Sequence, residues 1–154
     1  MTDRPDDTPA VDDLLRLDRQ VCFPLYAATN LLQRLYRPLL APLGLTYSQY
    51  LVMLVLWGRD PVSVGDLCAC LHLDNGTMSP LLKRMEQAGF IARQRDPDDE
   101  RRVLITLTPH GRALREQAEE VPKELARRIE AAPDEIAHVR SVVQSLVGKL
   151  DEAV

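Results

Sequence analysis

The feature that most constrains this chain is a change of hydrophobic period near its middle. Before residue 90 the apolar residues recur at helical spacing. Then Val103, Ile105 and Leu107 alternate with Leu104 and Thr106 at the two-residue period of a strand, and Phe90 to Arg95 reads as a second strand. Asp96-Pro97-Asp98-Asp99-Glu100 between them is a charged hairpin loop. Just upstream, Ser63 opens a short helix carrying Val64, Leu67, Cys68 and Leu71, with Asp66 in the acidic position of a capping box. Leu73-Asp74-Asn75-Gly76 is a turn, and Met78, Leu81, Leu82 and Met85 mark a further helix that Gly89 stops.

Two short helices joined by a tight turn and followed by a hairpin predict a winged helix-turn-helix. The flanks are helical. Val21, Leu25, Ala28, Leu32, Leu35 and Leu39 form one stripe of a long helix, with Pro24 near its start and Pro38 and Pro42 ending it. A second helix starts at Thr46 or Tyr47, runs to Trp57, and is apolar almost all round, which predicts burial on every side. Thr108-Pro109 is a strong helix start, and Pro122 predicts a bend in the helix that follows. Ala132-Pro133-Asp134 separates it from a last helix carrying Ile136, Val139, Val143, Leu146, Val147 and Leu150. The expected fold is therefore mainly α with a small β-hairpin wing, a winged helix-turn-helix core between flanking helices. Residues 1–13 read as a flexible acidic tail and 14–154 as one domain, with the reading lobe at about 46–108. The flanking stripes exceed what one small core can cover, so a dimer is expected.

Charge has to be read locally. The formal net charge is −4 over 154 residues. Asp3, Asp6, Asp7, Asp12 and Asp13 against Arg4 place all of it in the first thirteen residues. Residues 81–112 hold seven basic residues against five acidic ones, so a nucleic-acid surface there would depend on placement more than on bulk charge. Leu51 to Trp57 is the longest apolar run, too short to span a bilayer. No basic segment followed by an apolar one opens the chain, so a cytoplasmic location without membrane attachment is expected. Three cysteines do not make a closed disulfide framework.

The stretch Leu73-Asp74-Asn75-Gly76-Thr77-Met78-Ser79-Pro80-Leu81-Leu82-Lys83-Arg84-Met85-Glu86, followed by Asp98-Asp99-Glu100-Arg101, resembles the MarR superfamily of dimeric winged-helix regulators. Cys22-Phe23-Pro24-Leu25-Tyr26-Ala27-Ala28, Tyr36, and Leu45-Thr46-Tyr47 through Trp57 resemble its organic-hydroperoxide-sensing branch. The resemblance covers roughly residues 14 to 125. It implies a transcriptional repressor, not an enzyme, with no cofactor. It also implies that Cys22 is the peroxide-reactive thiol and that Tyr36 and Tyr47 of the other subunit hydrogen-bond to it. Some members carry a resolving cysteine after the wing. Pro109 to Ala132 contains none here, which favours resolution by a low-molecular-weight thiol.

Each candidate has a plainer reading beside the functional one. A free cysteine such as Cys22 is commonly a small buried hydrophobe, but near a helix N-terminus the dipole favours the reactive thiolate. Cys22 and Tyr36 lie fourteen residues apart. On one helix that is about 21 Å, so they meet only across an antiparallel pair of such helices. Tyr26, four residues after Cys22, shares its helix face. Tyr50 reads as core. Cys68, Cys70 and His72 form a C-x-C-x-H string, but residues two apart on a helix point away from each other, so no metal site is expected. Cys68 reads as core and Cys70 as partly exposed.

For DNA, Asn75, Thr77, Ser79 and Pro80 are candidates for base edges, and Lys83 and Arg84 for phosphates. Capping rules alone start that helix at Ser79-Pro80, whereas the resemblance starts it near Asp74. Arg93, Arg95, Arg101 and Arg102 surround the wing loop. The resemblance implies that Arg101 enters the minor groove and Asp99 orients it. The expected partners are a pseudo-palindromic DNA operator, an organic hydroperoxide as inducer, a small thiol and a second copy of the chain. Two other readings stand at this point: a relative released by a phenolic or lipophilic ligand, and a thiol peroxidase using Cys22.

Overall fold

The computed structural model describes residues 14–154, so the acidic segment 1–13 lies outside the described residues. Helix α1 (Cys22–Leu40) carries Pro24 in its first turn, where a missing N–H costs no intrahelical bond. It does not stop at Pro38, as the proline pattern suggests. Pro38 sits within the helix, and the chain goes on through a 3-10 turn at Ala41–Leu43. The stop is Gly44, whose φ of 69° is open to glycine at little cost and whose N–H bonds the Ala41 carbonyl at 3.0 Å. Of the sequence stripe, Leu25, Leu32, Leu35 and Leu39 are half-buried, while Val21 and Ala28 stay exposed.

Helix α2 (Tyr47–Gly58) starts at a complete capping box. The Thr46 hydroxyl accepts the Gln49 N–H at 3.4 Å, and Gln49 Oε1 accepts the Thr46 N–H at 2.9 Å. The helix is not buried all round. Tyr50, Val52, Met53 and Leu56 enter the core, whereas Leu54 is exposed on the opposite face. Its uniform apolarity thus serves one buried face and leaves a second face open.

A two-residue strand β1 (Val62–Ser63) precedes α3 (Val64–Leu71), α4 (Asn75–Gln87), β2 (Ile91–Arg95) and β3 (Val103–Leu107). The sheet order is β1-β3-β2, all antiparallel, with Val62 opposite Ile105 and Ile91 opposite Leu107. The expected hairpin therefore supplies the central strand β3 and the edge strand β2 of a three-stranded sheet. A two-residue strand is too short to show a period, which is why β1 is not visible in the pattern. Val103 is exposed, so only Ile105 and Leu107 form the inner face of β3.

Met53, Leu56, Leu67, Met78, Leu82, Met85 and Ile105 meet at 0 to 1% exposure, and this core fixes α4 and the wing relative to each other. Truncating any one of these leucines or methionines to alanine costs about 2–5 kcal/mol. Helices α5 (Pro109–Ala118) and α6 (Glu120–Ile129) follow. They break at Glu119, just where the Pro122 ring would strike the Ala118 carbonyl of a continuous helix. Helix α7 (Pro133–Asp151) has no buried residue and meets the reading lobe through Asp151, whose Oδ1 lies 3.4 Å from His72 Nδ1. Among the described residues no single helix is long and apolar enough to cross a membrane.

Candidate nucleic-acid interface and cysteine helix

Helix α4 begins where the resemblance placed it. Asp74 is the N-cap, and its Oδ1 accepts the Thr77 N–H at 2.7 Å. That bond holds the Asp74 carboxyl below its ordinary pKa. Pro80 falls inside the helix as its sixth residue. Met78, Leu81, Leu82 and Met85 face the core, which leaves Asn75, Thr77, Ser79, Pro80, Lys83 and Arg84 on the open side. All six sequence candidates on this helix are thus exposed together.

The wing places its arginines unequally. Arg101 is 93% exposed at the loop tip, with its N–H on Asp99 Oδ1 at 3.1 Å and its Nε 3.5 Å from the same oxygen. Arg102 spans Asp66 at 3.7 Å and Asp96 at 3.8 Å, and Arg95 Nη1 donates to the Glu100 carbonyl at 3.1 Å. Arg93 is committed to Glu86: its Nε donates at 2.8 Å, its Nη2 lies at 2.7 Å, and its backbone N–H reaches Oε1 at 3.2 Å. The guanidinium beside it lowers the Glu86 pKa. Glu86 was not singled out in the sequence, because a pair seven residues apart across a helix end has no periodic signal. Between α3, α4 and the wing lies a cleft of about 430 Å³ lined by Asn75, Ser79, Arg93, Arg101 and Arg102 among others.

The other set of candidates lies on α1 and α2. Cys22 is exposed at the first position of α1. Tyr26 is exposed on the next turn, with Val21 and Leu31 also exposed along the helix. Tyr36 packs on Tyr47 with ring centroids 4.8 Å apart and on Tyr50 at 5.7 Å. Tyr50 continues edge-on to Trp57 at 6.4 Å, and Trp57 Nε1 donates to the Gly111 carbonyl at 3.0 Å. Tyr50 is therefore core, and it also joins the tyrosine cluster. Burial, with Tyr47 and Tyr50 adding to it, pushes the Tyr36 hydroxyl up to about 12. Burial raises Tyr47 and Tyr50 as well. Phenols are protonated at neutral pH in any case, and burial keeps these three so to more alkaline pH. Tyr36 and Cys22 share one helix fourteen positions apart, so the structure does not bring them together within the chain.

Cys68 sits at the margin of the core, packed against it without being fully buried. It is partly buried, and its Sγ donates to Asn75 Oδ1 at 3.4 Å, while Cys70 is exposed.

The MarR family model matches residues 45–103, which run from the start of α2 to the start of β3. The organic hydroperoxide resistance transcriptional regulator of Bacillus subtilis is 39% identical over 140 residues, covering 91% of this chain and 95% of that protein. This chain belongs to the MarR family. The transcriptional regulator TtmR of Methylorubrum extorquens is 43% identical over 141 residues, 92% of this chain and 71% of TtmR. Reduced AbfR, a Staphylococcus epidermidis protein, bound to DNA superposes with a TM-score of 0.75 at 33% identity, covering 90% of this chain and 97% of that one. The chain is accordingly a MarR-family DNA-binding transcriptional regulator and not an enzyme.

Proposed function

We propose that this MarR-family chain is a homodimeric repressor that senses organic hydroperoxides through Cys22. The observation that carries the reading is the pairing of an exposed thiol at one end of α1 with a cluster of protonated tyrosines near the other. Two α1 helices run antiparallel across a two-fold axis, so that Tyr36 and Tyr47 of one subunit donate to the Cys22 sulfur of the other. The exposed apolar residues of α1 and α7, among them Phe23, Leu31, Val139 and Val142, supply surface for that pairing. The Bacillus subtilis relative, a regulator of organic hydroperoxide resistance by name, supports the choice of inducer.

The chemistry balances at the thiol. The Cys22 thiolate attacks the outer peroxide oxygen, an S–O bond forms, the O–O bond breaks, and the departing alkoxide takes a proton and leaves as the alcohol. Cys22 is then a sulfenic acid. A low-molecular-weight thiol condenses with it, releasing water and leaving a mixed disulfide. Either product disturbs the tyrosine contacts, shifts the paired helices and changes the spacing of the two reading heads.

In the DNA-bound state α4 lies in the major groove with Asn75, Thr77, Ser79 and Pro80 at base edges and Lys83 and Arg84 at phosphates. Arg101, held by Asp99, enters the minor groove, with Arg93, Arg95 and Arg102 as its basic surroundings. The deciding experiment adds cumene hydroperoxide to a complex with a duplex selected from randomised DNA. Wild type should release the duplex, and Cys22→Ser should hold it, since a hydroxyl does not form a sulfenic acid. Release of Cys22→Ser at the wild-type rate would sink the assignment.

A further inference from the structure

The turn between α3 and α4 contains a contact that neither the peroxide chemistry nor the wing uses. Cys68 lies in the last turn of α3, and its carbonyl accepts the Leu73 N–H at 3.0 Å, which closes the turn. Its side chain reaches across that same turn, and Sγ donates to Asn75 Oδ1 at 3.4 Å. Asn75 is the first residue of α4, is exposed, and lines the cleft it shares with Ser79, Arg101 and Arg102. We propose that Cys68 is a positioning residue that turns the Asn75 carboxamide so that its carbonyl faces α3 and its NH₂ faces the DNA.

The consequence is a matter of donors and acceptors. A free asparagine reads adenine with both ends, donating to N7 and accepting from N6–H₂. With Oδ1 held toward α3, Asn75 presents donors only. It then favours edges without a donor, guanine N7 and O6 or thymine O4, over adenine, whose N7 still accepts but whose N6–H₂ opposes the carboxamide NH₂. A thiol is a weak donor, so the device sets an orientation and adds little binding strength of its own. Residues seven apart across a turn carry no periodic signature, and Cys68 read as core from the sequence.

The inference rests on α4 lying in the major groove, but not on peroxide sensing, and the test uses reduced full-length protein throughout. Duplexes selected from randomised DNA by wild type are compared with those selected by Asn75→Ala, which identifies the base pair that Asn75 reads. Wild type should prefer guanine or thymine over adenine there by roughly tenfold. Cys68→Ala should let adenine in and cut that preference to about threefold or less, while Cys68→Ser, which keeps a donor, should retain it. Cys68→Ala added to Asn75→Ala should change nothing further. Thermal unfolding of each variant checks that the fold is intact. A wild-type preference in Cys68→Ala overturns the proposal while leaving α4 in the groove. An equal loss in Cys68→Ala and Cys68→Ser assigns the effect to packing and overturns it too. If neither Asn75→Ala nor Thr77→Ala alters any base preference, the groove placement itself is wrong, and the proposal falls with it.

Discussion

At the residue scale, the wing arginines differ in what already holds them. Arg101 projects into solvent, paired with Asp99 at 3.5 Å, so its charge is available to a phosphate-lined groove. The Arg93 guanidinium is paired with Oε2 of Glu86, and its backbone N–H with Oε1, so part of its charge is already offset. The two positions should therefore respond in opposite ways. Arg101→Ala should weaken operator binding and reduce the slope of log affinity against log salt by about one. Glu86→Gln removes an anion near the groove and frees Arg93, so it should strengthen binding to unrelated DNA and steepen that slope by about one. Fluorescence anisotropy over a series of salt concentrations measures both. An unchanged slope in Arg101→Ala means that the wing is not docked. The resemblance set Arg101 apart, but nothing in the sequence separated Arg93 from Arg95 and Arg102, because charge counts do not say which cation has a carboxylate across the turn.

At the element scale, the helices were legible where local chemistry alone decides them. Ser63 and Thr108 cap as expected, and the Pro122 bend appears as the break at Glu119. The failures have a common cause in contacts distant along the chain. β1 exists only because β3 lies beside it, and α2 shows an open face because the core ends there. Gly111 is another case. A Cβ there would fall well inside van der Waals contact of the Phe90 carbonyl, so α5 seats against the start of β2 only with glycine. Gly111→Ala should destabilise the fold by about 3 kcal/mol, read as a lower thermal midpoint. The α1–α2 contact can be probed by pH. Tyr36 has a folded pKa of about 12, above the ordinary 10.0. Its ionisation is disfavoured in the fold, so its contribution to stability is complete below pH 10 and lost as pH rises toward 12. Ultraviolet titration should show one tyrosine ionising last, and Tyr36→Phe should remove that phase. If Tyr36→Phe leaves the late phase in place, another phenol is the buried one.

At the scale of the whole molecule, the question is which subunit completes the thiol site. Along α1, Cys22 and Tyr36 are about 21 Å apart, so no motion that keeps the helix intact joins them in one chain. An antiparallel pair of α1 helices brings each Cys22 to the Tyr36 end of its partner. Protonated tyrosines there stabilise a thiolate by donating to it, so Tyr36→Phe should slow Cys22 oxidation with little effect on the fold. A mixed dimer distinguishes the two arrangements. One subunit carries Cys22→Ser and the other carries Tyr36→Phe, which leaves a single reactive Cys22. If the site is shared between subunits, that Cys22 meets the intact Tyr36 of the Cys22→Ser chain, because both lesions fall in the other site. It should then be oxidised at the wild-type rate. If each site forms within one chain, the surviving Cys22 shares its chain with Tyr36→Phe and should react slowly. Single-turnover oxidation by cumene hydroperoxide, followed by mass spectrometry of the Cys22 peptide, separates the two outcomes, and the slow rate would refute the shared site.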